Sequence, residues 1–513
     1  MRHYVFFAFI SFFAGVLAPN SATATPLLNL GFKGVSQYDL RNILGLSFIP
    51  PDTMGAVGAT QFMETTNGVY AVYSKDTGAV QSMVSAVAFW AGAGGVGGLD
   101  GDARLLYDKP SQRWIVIQFG ATLGYIQIAV SNTSDALGGW KSTAFSAFAG
   151  GTADLPTLAI DSKAVYIGTN NLDAAGILKG TTLNVIARSD LLGAGAPSTA
   201  SLKQFNTTLA SVVDHGFLIQ GVNSTGPDAG RVIAASLNVN DSIRYNVNNA
   251  GTAGATLGPV TQLGLTNYKD PNGQARQPDG TRNISTSSQV IANNAWEQNG
   301  KIYAVYTATA VGSDRTEVRW VVTNAATNAV IQEGFIGDAT HDFYQGSLTV
   351  NASGQVVIGF NRSGFSLVDG NVSFLARTFD SDAAGKLVQT NELLLHVSPV
   401  SDYHNGSAQG LPALGSQRWG DYSAVTLDPN DDQSFWAIGQ YADLWNNAAG
   451  CGAAFPAIPG CTLTGASSWG TWIADIKLNA VGAAIPEPET YALMFGGLLA
   501  MAAVVRRKKA AQV

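Results

Sequence analysis

The chain has 513 residues, 46% of them apolar, which is enough core-forming material for a large folded body and excludes a disordered chain. Charged residues make up only 13%, about half the usual share of roughly 25%, and the formal charge is −7. So few Lys and Arg leave no electrostatic footprint for nucleic acid and no charged heptads for a coiled coil, while 58 glycines point to a fold with many tight turns.

The N-terminus has the parts of a secretory signal. Met1-Arg2-His3 is a short basic region, Tyr4 to Leu17 is almost wholly apolar, and Pro19 and Asn20 break any helix. The apolar run is too short to span a bilayer, which takes roughly 20 residues. Ala22-Thr23-Ala24 offers the small residues of a cleavage site, so residues 1–24 are expected to be removed after Ala24.

From about residue 30 to 480 helical periodicity is scarce. One unit recurs instead: an apolar strand, a turn with Asp or Asn, and a second strand rich in aromatic and β-branched residues. In chain order, Asp52–Val57 leads into Val69–Val72, Arg104–Asp108 into Trp114–Ile117, and Pro156–Asp161 into Val165–Gly168. A weaker copy joins Gly216–Gln220 to Arg231–Ala235. Ser288–Asn293 then leads into Ile302–Val305, Ser347–Asn351 into Val356–Gly359, and Ser423–Asp428 into Phe435–Gly439. About seven such units predict an all-β fold for residues 25–480, a β-propeller of about seven antiparallel blades. Each blade then buries both faces against its neighbours, which explains the low charge. The last blade, near Trp419 to Leu478, is expected to take a closing strand from around Gly31 to Leu46.

A polar residue recurs just ahead of the first strand of many units: Asp52, Asp102, Asp154, Asp342 and Asp421, with Asp214 in the weaker copy. If these strands line a central channel, their acidic leaders ring one mouth. Carboxylates gathered there must bind a cation, accept hydrogen bonds from loop amides, or have raised pKa values. Ca²⁺ is the cation such oxygens suit; the alternative is that each Asp caps a turn of its own blade. His341, beside Asp342, is a candidate ligand or base, as is His404. Asp428–Asp432 lacks the length and bidentate Glu of an EF-hand and reads as a hairpin turn. There is no His-Glu-x-x-His, no phosphate-cradling Gly loop and no nucleophile elbow. Cys451 and Cys461 are the only cysteines, and in an oxidising compartment they are expected to form a disulfide.

The C-terminus reads Pro486-Glu487-Pro488, an apolar stretch from Thr490 to Val505, then Arg506, Arg507, Lys508 and Lys509. The basic cluster is where the positive-inside rule places a cytoplasmic stop. The order of parts resembles the PEP-CTERM sorting signal of Gram-negative bacteria, here residues 481–513. That resemblance implies a transmembrane helix, transient inner-membrane anchoring, and removal of the tail near the triplet by an exosortase, a membrane-embedded cysteine peptidase. Its members tend to occur in bacteria that make exopolysaccharide, biofilm or floc. Five of the 29 Lys and Arg and two of the 36 Asp and Glu lie in the two ends, which leaves a body near −10. The stretches Pro50–Gly58, Tyr166–Asn171, Arg418–Ser423 and Trp469–Ala474 further resemble a recurrent, poorly characterised group of bacterial exported propeller-like proteins.

Two functions are expected from these features. The first is an exported binding or structural protein of the cell surface or extracellular matrix, linked to exopolysaccharide, with loop aromatics such as Trp90, Trp140 or Trp445 stacking on sugars. The alternative is a carbohydrate-active hydrolase or lyase with an Asp-lined channel mouth, Asp342 and Asp421 being one conceivable acid pair.

Overall fold

Runs of β-branched and aromatic residues broken by Gly, Asn and Asp favour strands and turns over helix. In a computed structural model they form antiparallel sheets between Leu27 and Lys477. The structure describes residues 26–478 apart from 47, 97–100, 121–123, 149–150, 209–214, 228, 237–240, 267, 270–273, 279, 281–282, 287–294, 404–415 and 447–465. Cys451, Cys461, His404, Asp214, the expected strand Ser288–Asn293 and both sorting segments lie outside the described residues. No helix among the described residues is long and apolar enough to cross a membrane.

Among the described residues seven blades follow one another. Blade 1 is Met54–Val57, Gln61–Thr66, Val69–Ser74 and Val80–Ser85; blade 2 is Arg104–Asp108, Arg113–Phe119, Tyr125–Ser131 and Trp140–Ser146. Blade 3 runs from Thr152–Asp154 and Ala159–Ile160 through Ala164–Leu172 and Leu178–Ala187 to Lys203–Asn206. Blade 4 (Phe217–Ser224, Arg231–Ala235, Ser242–Asn248) and blade 5 (Ala295–Gln298, Lys301–Ala310, Glu317–Asn324, Val330–Ile336) share one sheet, joined where Val222–Ser224 runs parallel to Ala295–Glu297. Blade 6 is His341–Val350, Val356–Gly364, Ser373–Ser381 and Leu387–Val397. Blade 7 takes Ala424–Leu427, Ser434–Asn446 and Ala466–Lys477, and its outer strand is the N-terminal Leu27–Ser36.

The cores show that these sheets close into a ring. Ile115 and Ile128 of blade 2 pack with Val165 and Ile186 of blade 3. Tyr166 and Val185 pack with Val232 and Tyr245 of blade 4, and Ile233 with Ile302 of blade 5. Val305 packs with Phe343 and Ile358 of blade 6, and Phe374 with Val425 and Ile476 of blade 7. The sixth cluster joins Trp436 and Ile438 of blade 7 to Phe62 of blade 1 and Trp114 of blade 2. A linear stack would leave its first and last sheets without partners; here blade 7 and blade 1 have each other. At about 1.5–3 kcal/mol for each large apolar side chain buried, these inter-blade layers are the main favourable term of the fold.

Closure is held by one buried acid. Glu64, fully buried in Gln61–Thr66, accepts hydrogen bonds from the Val35 N–H at 3.0 Å and the Tyr73 hydroxyl at 2.8 Å, and meets the Thr471 hydroxyl at 2.6 Å. It thereby touches the N-terminal strand and its C-terminal partner at once. Gly34 permits this approach: a Cβ there would lie 2.4 Å from Thr471 Oγ1 and 2.5 Å from Glu64 Oε2.

Three expectations need correction. Val69–Ser74 is the third element of the blade 1 meander, because Gln61–Thr66 intervenes. The closing strand ends at Ser36, where a capping box with Asp39 starts the helix Gln37–Leu44. Trp90 is fully buried: its indole N–H donates to Gln118 at 2.7 Å, so it belongs to the core.

Candidate functional site

Four of the acidic leaders meet where blades 7, 1, 2 and 3 begin. Asp52 and Asp102 each stand two residues ahead of a first strand with φ of 45° and 63°, a left-handed conformation that Asp tolerates better than most residues. Asn67 links them: its amide donates to Asp52 Oδ2 at 2.8 Å and its carbonyl accepts from the Asp102 N–H at 2.9 Å. Asn67 can do this because Asn67-Gly68 is the two-residue turn of a blade 1 hairpin, with Thr66 opposite Val69. The Asp421 N–H donates to Asp52 Oδ1 at 2.8 Å, carrying the network from blade 1 to blade 7. Asp102 hydrogen-bonds to both Asp52 and Asp154. Asp154 also accepts from the adjacent Leu155 N–H at 2.8 Å.

A guanidinium pairs directly with them. Arg418 forks onto Asp421, with Nη1 2.7 Å from Oδ1 and Nη2 on Oδ2. Burial works against the Arg418 charge, but Asp421, Asp52 and Asp102 outweigh it and raise its pKa. Arg104, also buried, stacks over the Tyr422 ring at 4.4 Å, and the Tyr422 hydroxyl donates to Asp102 at 3.2 Å.

The carboxyls resolve their mutual repulsion by taking up protons. Burial, then the Asp421 charge, pushes Asp52 up to about 6. Burial pushes Asp102 well above the usual carboxylate range, and Asp52, Asp154 and Asp421 add to it. Asp154 is raised chiefly by burial. Burial and the neighbouring carboxyls thus favour the protonated form of Asp102, while Asp421 pairs with Arg418.

A small separate sheet covers this mouth. Gln274–Ala275 pairs with Asn283–Ser285, which runs parallel to Ser416–Arg418, placing Ser285 opposite Arg418. Ala275 and Ile284 are fully buried in one cluster with Trp419 and Tyr422. The chain between blades 4 and 5 thus folds back to pack beside the acidic residues.

Asp342 is not part of this group. It lies inside the first strand of blade 6, fully buried, and accepts from the Arg276 N–H at 2.9 Å and the Thr316 N–H at 3.1 Å, with Arg315 at 3.6 Å. It ties three backbone segments together, and a backbone N–H claims each of its carboxylate oxygens. His341 is held between Asp338 at 2.9 Å and Asp369 at 3.3 Å. Arg418 and Tyr422 lie in the Arg418–Ser423 stretch noted above, but the sequence assigns neither of them, nor Asn67, to this site. The Asn-Gly dipeptide and the Arg418-x-x-Asp421 spacing are the local signals that point to them.

Among the described residues no group of three or more His, Cys, Asp or Glu is disposed to hold a metal ion. Arg418 on Asp421, the Asp421 N–H and the Asn67 amide on Asp52, and the Leu155 N–H on Asp154 already use lone pairs that Ca²⁺ would need. Excess EDTA is accordingly expected to leave the thermal unfolding midpoint unchanged. A midpoint that falls with chelator and recovers with Ca²⁺ would restore the cation reading.

No protein-family model matches the chain, and no curated protein matches it. Solved structures that it resembles include the extracellular domains 1–2 of Drosophila Semaphorin 1b, 10% identical over 91% of this chain and 89% of that one, with a TM-score of 0.41. The WD40 domain of SCAP from fission yeast is 8% identical over 82% of each chain, at 0.31. The endo-arabinase of Bacteroides thetaiotaomicron is 12% identical over 66% of this chain and 88% of that one, at 0.29. The propeller assignment rests on the sheet order and the shared inter-blade cores, since scores this low carry no further argument.

Proposed function

We propose that the chain is an exported binding or structural protein of the cell surface or extracellular matrix, associated with exopolysaccharide, and that it has no hydrolytic activity. The observation that supports this is the hydrogen-bonded contact of Asp102 with both Asp52 and Asp154. Glycoside cleavage needs two carboxyls on either side of a bond, about 5–5.5 Å or 6.5–9.5 Å apart. Carboxyls that bond to one another, balanced by Arg418 and packed beside the covering sheet, make a structural node that joins blades 7, 1, 2 and 3. Export, exosortase processing and transient membrane anchoring belong to the same proposal and rest on the sequence of the two ends. The near −10 body suits neutral glycans better than anionic ones.

The test is incubation of the purified chain with neutral polysaccharides, measuring retention on the polymer and release of reducing ends. Retention without release is expected. Release that is abolished by Asp421→Asn, with the fold intact, would establish the hydrolase instead.

A further inference from the structure

The channel has a second mouth, at the carboxyl ends of the first strands, opposite in chain direction to the acidic one. A cavity of about 180 Å³ opens there, lined by Tyr107 and Asp108 of blade 2, Trp296 of blade 5 and Asp428 and Asp432 of blade 7, with Lys109 beside them. Blades 3, 4 and 6 also contribute through Ile160, Thr225 and Val350, so the cavity lies on the ring axis.

Its chemistry is specific in three ways. First, two half-buried aromatic rings, Tyr107 and Trp296, come from blades on different sides of the ring. Second, the carboxylates are held in place by the protein. Asp108 meets Arg188 at 2.5 Å, Asp428 meets Lys75 at 3.0 Å, and Asp432 accepts from the Ala352 N–H at 3.1 Å. Third, the charges balance, with Asp108, Asp428 and Asp432 against Lys75, Arg188 and Lys109. Such a mouth has no net attraction for an ion. It offers fixed oxygen acceptors for O–H donors and ring faces for C–H groups. The volume is below the roughly 300–1,000 Å³ typical of drug-sized ligands, so one small ring is the unit that fits.

We propose that this mouth binds a single neutral sugar unit of a glycan chain, with Trp296 under one ring face and Asp432 accepting hydroxyls at the rim. This rests on the glycan-binding reading above and gives that reading a location. It accounts for the Asp428–Asp432 turn, whose Asp428 N–H bonds to Ser434 O at 2.9 Å and whose acidic residues the acidic mouth does not use.

The experiment is calorimetric titration of the full chain with neutral hexasaccharides of glucose, mannose, xylose and N-acetylglucosamine, with tetramethylammonium and polygalacturonate as charged probes. Neutral binding is expected, weakened about tenfold or more in Trp296→Ala and largely kept in Trp296→Phe. Trp296 also touches the blade 5–6 core, so a second variant is needed. Thr225, exposed at the rim, can be changed to Trp to fill the mouth without touching that core. Thr225→Trp should abolish binding and leave the unfolding midpoint in place. Glycan binding that survives Thr225→Trp overturns the location and leaves the glycan reading standing. Binding of a charged probe in place of sugars overturns the ligand class. No binding by any hexasaccharide overturns both.

Discussion

Glu64→Gln should make the protein more stable than wild type at pH 8 and nearly equal to it at pH 4.5. Burial pushes the Glu64 carboxyl from 4.5 up to about 7, and the hydrogen bonds from Thr471, Tyr73, Val35 and Thr53 only partly oppose this. A carboxyl whose folded pKa is raised contributes stability that is full below the unfolded pKa and is lost as pH rises through the folded one. The window here runs from about pH 4.5 to above 7. At about 1.4 kcal/mol per tenfold in proton affinity, the difference is on the order of 3 kcal/mol. The proton also has a definite place. The Thr471 hydroxyl lies 3.0 Å from the Val35 carbonyl and 2.6 Å from Glu64, and its single hydrogen can serve only one of them. Protonated Glu64 donates to Thr471 Oγ1, which donates on to Val35. Gln reproduces this pattern with its amide and does not titrate. Wild type should therefore show a urea midpoint that falls from pH 4.5 to 8, with faster tryptic cutting at Lys33 in the closing strand. Glu64→Gln should flatten both trends. Parallel pH profiles for the two proteins would refute the assignment.

Arg418→Met should be the most damaging single change at the acidic mouth. Arg418 is about four-fifths buried and forks onto a carboxyl that is 92% buried, so its loss strands charge that water does not reach. Removing one partner of a buried pair typically costs about 3–5 kcal/mol. The loss should be greatest at pH 8 and shrink toward pH 4–5, because Asp52, Asp102 and Asp154 are all raised and take up protons first. Asp421→Asn in the same chain should restore much of the stability at neutral pH, since the stranded charge is then gone. A double-mutant cycle in urea measures this directly. Strict additivity, or a cost independent of pH, would show that Arg418 acts by packing alone.

The blade count and ring closure were legible because they depend on repeated apolar strands, which dominate each unit. Gln61–Thr66 escaped for a physical reason. Its Gln61, Glu64, Thr65 and Thr66 read as a polar linker, yet all four are buried. Only the Asn67-Gly68 turn announced a hairpin ending there. The acidic mouth was half legible. Asp52, Asp102 and Asp421 lie two or three residues ahead of their first strands, and Asp154 ends the opening strand of blade 3, so these four can meet. Asp342 shares the spacing in the repeat but is the second residue of its strand, where backbone N–H groups from neighbouring turns claim both oxygens. Partner choice was not legible: nothing in the order of residues says that Arg418 chooses Asp421 or that Asn67 bridges two blades.

The clasp between Val35 and Thr471 joins residues 436 positions apart in the chain. At a synthesis rate of about 5–20 residues per second, the first strand made waits roughly 20–90 s for the last one. Contacts of such long range also slow folding after the whole chain exists. Until then Leu27–Ser36 has no sheet to join, and blade 1 lacks one of its packing neighbours. The ring can therefore lock only once its final strand has been made.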